Sequence, residues 1–457
     1  MDKMKIVIFG TGKFYRENKK YLSSKDEIIL FLDNAVKTPN AFVDGIQVVL
    51  PSRIREYKYD GVLLMGNEKN SASMKRQLIQ IGVPENRITF FFEYILGEKT
   101  SNDSISGDVL IISPYISYVG GIIAEVYAVQ AMKNIGLSTV IVSCGGEKGT
   151  FNEIRNKGIK VAIVPDISFL SDAEYIELTN RFLYVMINTF QMYRCVKAIS
   201  QYRTLLWWIH EPSEFYERLV DDEKQIIENI CFSNVRIMAV SKLAQNNFNQ
   251  YVKDAISECL PYGIPDHSLA INSFECKRIL RIGVIGTIYK TKGQDIFLEA
   301  LAQLTQKDQK RIECFIVGNI GDKQYAKEII EKAESFDNVK ITGLLNREQM
   351  NSLEPTIDVF VSPSREDSLP IVIAEGLMYG KVCMVSDHTG FKDFIIPYEN
   401  GLIFKSESSE DLAIKIEWVI RNTNKLGVIG KNGRKLYDSI FGMEKFGERL
   451  KTAIEDI

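Results

Sequence analysis

The chain has 457 residues, of which 45% are hydrophobic and 25% are charged. This length exceeds one ordinary hydrophobic core, so two or three globular domains are expected and a disordered chain is excluded. Lys and Arg (56) nearly balance Asp and Glu (59), and the net charge of −3 argues against a dedicated nucleic-acid-binding protein.

The seven cysteines are scattered and form no CxxC pair, which predicts reduced thiols rather than a disulfide or zinc framework. The start, MDKMKIVIFGTG, runs directly into a predicted strand and lacks the layout of a signal peptide. No apolar stretch approaches the ~18 residues that span a bilayer. We therefore expect a cytoplasmic protein, and peripheral contact with the inner face of the membrane stays open.

Short apolar runs that end in glycine or proline open three parts of the chain: KIVIFGTG (5–12), DVLIISP (108–114) and RIGVIGT (281–287). Each run is followed by alternating helix and strand patterns, which are typical of parallel sheets buried on both faces. The pattern predicts an α/β protein with three doubly wound, Rossmann-like units. Polar stretches at 97–108 and 266–278 are predicted linkers.

The first unit carries a glycine turn, GTGKFY, directly after its first strand. Gly10 and Gly12 would let a pyrophosphate approach a helix N-terminus, and Asp33 ends the second strand where a ribose-binding acid would lie. Tyr15, at the third glycine position, would crowd the helix or the ligand. Two interpretations stay open: a nucleotide site, or a unit for assembly or acceptor docking. The segment resembles nucleotide-binding Rossmann domains at the front of some bacterial polysaccharide-synthesis proteins.

The segment PSREDSLPIVIAEGLMYGKVCMVSD (363–387) carries the strongest signal in the chain. It predicts a loop and then a helix, with Ser368 as N-cap and Pro370 in the first turn, so that free N–H groups could receive a diphosphate. Asp367 lies on the loop and Glu375 about two turns along the helix, among apolar residues. A carboxylate there needs a partner, and ribose hydroxyls are good donors. A solvent-facing Glu375 is the open alternative.

This segment resembles the donor-binding signature of retaining family 4 glycosyltransferases of the GT-B fold, in which an acid-x7-acid pattern spans a loop and a helix. Here the first acid is Asp367 where Glu is commoner, and Pro370 takes a usual glycine place. Further similar segments follow in the family's order: VIGTIYKTKGQDIFLEAL (284–301), FIVGN (315–319) and ITGLLNREQM (341–350). The resemblance covers about 108–440, so the first hundred residues lie outside it.

The resemblance implies a role for each matching position. Lys292 would neutralise the donor phosphates, and Lys290 is a candidate for the cation that the family often has at Thr287. Glu375 would anchor the ribose, and Asp367 with its loop would hold the transferred sugar. The full set of implied donor-binding residues is Gly120, Gly121, Gly286, Thr287, Lys292, Gly293, Gly318, Leu344, Leu345, Ser368, Leu369 and Pro370.

The second unit offers a glycine pair and a histidine at predicted strand ends. The N–H groups of Gly120–Gly121 could receive an anion, although a tight packing turn is the alternative. His210 ends the strand LLWWI, at the edge of a parallel sheet where ligands bind in open α/β folds; a structural histidine is the alternative. In the family that this segment resembles, the histidine faces the transferred sugar.

We therefore expect four parts: a Rossmann-like domain (1–100), an acceptor-side domain (106–268), a donor-binding domain (275–437) and a C-terminal helix that packs back on the acceptor side (438–457). The implied activity is that of a retaining, hexosyltransferase-type enzyme. It would use a nucleotide-diphosphate sugar and a glycan, lipid-linked or protein acceptor in bacterial surface-glycan synthesis, without a metal or other cofactor. Whether the chain forms a homo-oligomer or binds a partner protein through the first unit stays open.

Two other functions stay open. A degenerate transferase could act as a scaffold or partner of an active enzyme, since Thr287 and Asp367 depart from the family pattern. Alternatively, the first unit could be an oxidoreductase or epimerase, although Tyr15 and the lack of a YxxxK-like pair argue against it.

Overall fold

The structure is a computed structural model that describes residues 3–38, 40–97, 105–253, 255–256, 258–268 and 279–457. It contains three separate, mainly parallel sheets, one in each of the predicted α/β units. The predicted α/β fold class is therefore confirmed. Residues 98–104 and 269–278, which make up most of the two predicted linkers, lie outside the described residues.

The first sheet has the strand order β3-β4-β2-β1-β5-β6. Its strands are β1 (Met4–Phe9), β2 (Asp26–Leu32), β3 (Ala41–Val43), β4 (Ile46–Val49), β5 (Gly61–Leu64) and β6 (Ile88–Phe90), with helices α1 (Lys13–Asn18), α2 (Glu68–Gln80) and α3 (Phe91–Leu96). β3 and β4 pair antiparallel, unlike the rest of the sheet. Asp44 and Gly45 both have positive φ between these strands, as a two-residue hairpin turn requires.

The second sheet is parallel throughout, in the order β13-β12-β11-β10-β7-β8-β9. Its strands are β7 (Val109–Ser113), β8 (Thr139–Ser143), β9 (Lys160–Ile163), β10 (Tyr184–Asn188), β11 (Leu205–Ile209), β12 (Val235–Ala239) and β13 (Glu258–Cys259). Its helices are α4 (Gly120–Asn134), α5 (Lys148–Asn156), α6 (Asp172–Thr179), α7 (Tyr193–Ile199), α8 (Ser213–Glu217), α9 (Asp221–Glu228) and α10 (Lys242–Asn249).

The third sheet is also parallel throughout, in the order β16-β15-β14-β17-β18-β19. Its strands are β14 (Leu280–Ile285), β15 (Ile312–Val317), β16 (Val339–Gly343), β17 (Val359–Ser362), β18 (Val382–Ser386) and β19 (Leu402–Phe404). The helices that follow are α11 (Gln294–Gln303), α12 (Gln306–Gln309), α13 (Lys323–Ala333), α14 (Arg347–Leu353), α15 (Ile371–Met378), α16 (Ser409–Arg421), α17 (Thr423–Leu436) and α18 (Met443–Glu455).

The C-terminal helix α18 returns from the third unit to the second, where it packs along α4. Phe446 of α18 stacks on Trp208 of β11 with ring centroids 5.9 Å apart. Gly263 is required beneath that ring, because a Cβ there would lie 2.5 Å from Cβ of Phe446. The second and third units are thus joined by α18 as well as by the chain between them. Among the described helices, none is both long and apolar enough to cross a membrane.

The first unit docks on the second through α2 and the segment after β6. Glu68 of α2 accepts a hydrogen bond from the backbone N–H of Ser168 (2.7 Å), and Lys75 lies 3.4 Å from Asp166. The ring of Phe92 packs on Tyr115, with centroids 5.4 Å apart, in the loop that leads to α4. The first unit is therefore fixed next to the loop that leads to Gly120–Gly121 at the start of α4.

Candidate active site

The loops at the carboxyl ends of the second and third sheets meet. Ser241, just after β12, donates a hydrogen bond to the carbonyl oxygen of Ser368 (2.5 Å). Tyr262 donates from its hydroxyl to the carbonyl oxygen of Leu369 (2.8 Å). The 365–370 loop therefore rests on the second unit, at the sheet edges where open α/β folds bind ligands.

Asp367 has a cation beside it, since Nζ of Lys292 lies 2.5 Å from its Oδ2. Lys292 is held there by the turn at Gly293, whose φ of +69° is left-handed. A Cβ at Gly293 would lie 2.0 Å from the carbonyl oxygen of Pro363, so the turn fits against the start of the 365–370 loop only with glycine. Two of the predicted site residues, Lys292 and Asp367, are thus in direct contact.

The helix after this loop begins later than the sequence predicted. α15 starts at Ile371, and Pro370 occupies the capping position with an extended backbone. The prediction of Ser368 as N-cap is therefore wrong by two residues, and Pro370 precedes the first turn instead of lying in it. The reason is tertiary: the carbonyl groups of residues 368 and 369 are bound by the second unit, which holds the chain extended there. The hydroxyl of Ser368 is buried and has no hydrogen-bond partner among the described residues.

Glu375 lies in the second turn of α15 and is 7% exposed, which rules out the solvent-facing alternative. Its Oε1 accepts a hydrogen bond from Nη1 of Arg347 (3.1 Å), the first residue of α14. Burial raises the pKa of Glu375, and the charge of Arg347 opposes that shift. The acid predicted to bind ribose hydroxyls is thus paired with an arginine in the free protein.

A second buried carboxyl, Glu354, lies beside Glu375. Its side chain is fully buried, and within the described part of the chain neither oxygen makes a hydrogen bond of normal geometry. Burial, and secondarily the charge of Glu375, raises the pKa of Glu354 to about 8. Glu354 is therefore expected to be protonated at neutral pH, so that Arg347 balances one carboxylate and not two.

The remaining predicted donor residues surround the carboxyl ends of β14, β15 and β16. Gly286 and Gly318 touch, because a Cβ at Gly318 would lie 2.0 Å from the carbonyl oxygen of Gly286. Thr287 is exposed, and its carbonyl oxygen accepts a hydrogen bond from the Gln294 side chain (3.0 Å). Beyond β16 come Leu344, which is 66% exposed, and Leu345, which is half-buried.

On the second unit, the glycine pair and the histidine come together. α4 begins at Gly120, and a Cβ at Gly121 would lie 3.8 Å from Cγ of His210 and 3.3 Å from Cγ2 of Thr189. Thr189 is a β-branched residue with a φ of +69°, a strained conformation that is concentrated at functional sites. The structure thus brings Gly121 and His210 within contact distance around a strained residue.

The imidazole of His210 is held in an apolar setting. Its ring packs edge-on against Trp208 with centroids 4.3 Å apart, and its Nε2 is buried without a hydrogen-bond partner among the described residues. Burial lowers the pKa of His210 to about 3, so the ring is neutral at working pH. A neutral imidazole can accept a hydrogen bond from a hydroxyl, but it carries no positive charge for a phosphate.

In the first unit, Asp33 is used within its own turn. Its oxygens accept hydrogen bonds from the backbone N–H of Thr11 (3.0 Å) and of Ala35 (2.8 Å). Gly10 has a φ of +106°, and a Cβ there would lie 2.6 Å from a backbone oxygen, whereas a Cβ at Gly12 would meet open space. Tyr15 is buried against Phe31, with ring centroids 5.0 Å apart. A nucleotide site at Gly10, Gly12 and Asp33 stays a prediction.

The sequence interpretation missed several residues around the site. The sequence interpretation assigns no role to Arg347 or Glu354, and the local signal at Glu354 is only that it directly precedes a proline, five residues before the buried strand β17. Glu125, one turn after Gly121, is also buried and binds Ser113 (2.6 Å) and Asn188. In the described ranges, no group of three or more His, Cys, Asp and Glu side chains could hold a metal ion.

Two families of known proteins match separate parts of the chain. Residues 277–436 match the family described as glycosyl transferases group 1. This match covers most of the third unit. Residues 2–89 match the family described as C2185-like, N-terminal.

The chain is also similar to curated proteins and to solved structures. The chain is 22% identical to an uncharacterized glycosyltransferase of Methanocaldococcus jannaschii over 39% of this chain and 46% of that protein. It is 23% identical to the alpha-D-kanosaminyltransferase of Streptomyces kanamyceticus over 49% of this chain and 55% of that enzyme. The chain thus spans about half the length of these relatives.

The structure of Anabaena HepE in complex with UDP is similar in fold: it matches 77% of this chain and 100% of its own, with a TM-score of 0.65 at 16% identity. This likeness in fold confirms the predicted GT-B architecture.

Proposed function

We propose that the protein is a glycosyltransferase that moves a sugar from a nucleotide-diphosphate sugar to an acceptor, with retention of anomeric configuration. The observation that carries the proposal is the contact of Lys292 with Asp367 on the loop that leads to Glu375, at the carboxyl edge of the third sheet. The edge combines a cation for phosphates, a buried carboxylate for ribose hydroxyls and glycine turns that let a ligand approach the backbone.

The departing diphosphate needs positive charge and N–H donors, since a nucleotide sugar carries its own leaving group. Lys292 would turn from Asp367 towards the phosphates, and the Gly120–Gly121 turn would add backbone donors from the opposite side. Asp367, freed from Lys292, would accept hydrogen bonds from hydroxyls of the transferred sugar. Same-face attack by the acceptor, with the leaving phosphate taking its proton, is the mechanism that we propose.

His210 would bind a hydroxyl of the sugar or the acceptor through Nε2. It would act as a neutral hydrogen-bond acceptor, because its burial keeps the proton off the ring. Glu211 supports this arrangement by accepting hydrogen bonds from the backbone N–H groups of His210 (2.9 Å) and Phe190 (2.8 Å). This network fixes the end of β11, from which His210 projects.

The biological setting is part of the proposal. Among the relatives are the capsular polysaccharide biosynthesis glycosyltransferase CapM of Staphylococcus aureus and the uncharacterized archaeal glycosyltransferase. In the neighbour HepE, UDP and UDP-glucose occupy the crystal structures. We propose a cytoplasmic enzyme of bacterial surface-glycan synthesis that uses a glycan, lipid-linked or protein acceptor and needs no other cofactor.

A screen of nucleotide-diphosphate sugars tests the proposal. The purified chain is expected to hydrolyse one donor slowly in the absence of acceptor, and to release its nucleoside diphosphate faster when a crude glycan or glycolipid fraction is added. Release would be measured by coupled assay of the nucleoside diphosphate. Tight binding of a nucleoside diphosphate without any turnover would favour the alternative of a degenerate scaffold, and no binding at all would contradict the proposal.

A further inference from the structure

Glu366, the residue next to Asp367, faces the second unit and not the donor side. Its Oε1 accepts hydrogen bonds from the backbone N–H of Ser213 (2.8 Å) and from Nδ2 of Asn247 (2.6 Å). Its Oε2 accepts a hydrogen bond from Oγ of Ser213 (2.5 Å). Three donors from α8 and α10 of the second unit thus converge on one carboxylate of the third.

The two neighbouring acids therefore have different partners. Asp367 lies beside the ammonium of Lys292 within its own unit, whereas the observed partners of Glu366 are neutral groups across the cleft. Neutral N–H and O–H donors around a carboxylate are directional, and hydrogen bonds to a charged acceptor are about twice as strong as those between neutral groups. The contact therefore defines one relative position of the two units more sharply than an exposed ion pair would.

The location of the contact links it to the site. Ser213 follows His210 by three residues, in the segment that leaves β11. Glu366 directly precedes Asp367, on the loop that leads to α15. We propose that Glu366 is a positioning residue, which bonds to Ser213 and Asn247 to hold the donor loop in register with His210. The inference deepens the proposed function and rests on it for the role of His210 and Asp367.

The position of Glu366 predicts which step it affects. The side chains proposed to hold the nucleotide, Glu375 and Lys292, belong to the third unit, whereas His210 and the Gly120–Gly121 turn, which is proposed to act on the departing diphosphate, belong to the second. Loss of Glu366 should therefore leave nucleotide affinity nearly unchanged and lower the rate of transfer, because the two halves of the site are no longer aligned.

Glu366→Ala tests this inference, with Glu407→Ala as matched control. Glu407 is an exposed acid of the third unit that pairs with Arg365 of the same loop (3.0 Å) and does not reach across the cleft. We expect Glu366→Ala to lower kcat about 10- to 100-fold, the range that loss of a hydrogen bond to a charged group commonly brings, with Kd for the nucleoside diphosphate changed less than about threefold. Glu366→Gln, which retains one acceptor oxygen, should fall between Glu366→Ala and the wild type.

Hydrogen exchange supplies a readout that needs no activity. The backbone N–H of Ser213 is protected by Glu366, so peptides covering 210–216 should exchange about tenfold faster in Glu366→Ala and at the wild-type rate in Glu407→Ala. Ser213→Ala should lower kcat in the wild-type background and have little further effect in Glu366→Ala, because both changes break one contact.

The possible results separate this inference from the proposed function. Unchanged exchange at 210–216 in Glu366→Ala overturns the inference even if the protein transfers no sugar. Unchanged kcat overturns it in an active protein. If exchange at 210–216 is faster in Glu366→Ala but the wild-type protein turns over no donor, the contact is retained and only the proposed function is contradicted. If Glu366→Ala does not fold, the same measurements of kcat and of exchange at 210–216 are made on Glu366→Gln and Asn247→Ala.

Discussion

At the scale of single residues, the two acids of the acid-x7-acid pattern each have a cation beside them before any ligand arrives. Lys292 lies 2.5 Å from Asp367, and Arg347 lies 3.1 Å from Glu375. Since carboxylates buried without a partner are costly, these contacts offset part of the cost of holding the acids away from water. When a nucleotide sugar binds, its hydroxyl groups would replace the cation at one of these acids. Its phosphates would then bind the displaced cation.

The buried Glu354 provides a pH test of the acid cluster. Its pKa of about 8 means that the folded state holds a proton between about pH 4.5 and about pH 8 that the unfolded state releases. The free energy of unfolding must therefore fall as pH rises through that window. Glu354→Gln removes this titration, and we expect the stability of the variant relative to the wild type to rise by about 3 to 4 kcal/mol between about pH 5 and about pH 8, at ~1.4 kcal/mol per pH unit.

Urea denaturation of both proteins at several pH values measures this difference. Glu125 and Glu211, whose burial raises their pKa to about 7, titrate in both proteins and cancel in the comparison. Glu348→Gln is the control, because Glu348 is an exposed acid on α14. A difference that stays constant with pH would contradict the buried, protonated state of Glu354.

At the scale of elements, the site depends on short turns that fit loops against each other. The turn before α11 is the clearest case, since Gly293 has left-handed φ and contacts the start of the 365–370 loop. Gly293→Ala should cost more than about 1 kcal/mol from backbone conformation alone, with a further cost because a Cβ would displace the loop. The shift would also move Lys292, so donor turnover should fall together with thermal stability.

Gly149→Ala is the matched control for that prediction. Gly149 lies in α5, and a Cβ there would meet no atom within 4 Å. Alanine is a better helix former than glycine, so this variant should be as stable as the wild type or slightly more stable. Thermal denaturation of both variants measures the difference, and we expect a lower melting temperature for Gly293→Ala. Equal melting temperatures for Gly293→Ala and Gly149→Ala would contradict the proposed fit of the turn.

The elements also show how far sequence reasoning reached. Buried apolar runs and the helix patterns between them predicted the parallel sheets, because that signal is local. The N-cap at Ser368 was wrong, since hydrogen bonds from Ser241 and Tyr262 keep residues 368 and 369 out of the helix. The contacts of Glu375 with Arg347 and of Glu366 with Ser213 join residues far apart in the chain, which periodicity cannot detect.

At the scale of the whole molecule, each of the three sheets carries a different part of the proposed site or of its surroundings. The third holds the residues proposed for the donor, the second adds His210 and the glycine turn, and the first docks beside that turn through Phe92 and Tyr115. The resemblance predicted that the second and third units would face one cleft, and the solved structures of similar fold support this arrangement. What the first unit binds was left open by its sequence, because Tyr15 and Asp33 suit a packed core and a closed turn as well as a nucleotide.

The central claim is that a nucleotide sugar is bound through Glu375 and turned over in this cleft. The most direct measurement is the rate of nucleoside diphosphate release from the preferred donor by Glu375→Ala, compared with Glu348→Ala as an acid-to-alanine control. We expect Glu375→Ala to lose at least about 100-fold in kcat/KM, or ~2.7 kcal/mol of transition-state stabilisation, while Glu348→Ala keeps the wild-type rate. Near-wild-type release by a folded Glu375→Ala protein would contradict the claim.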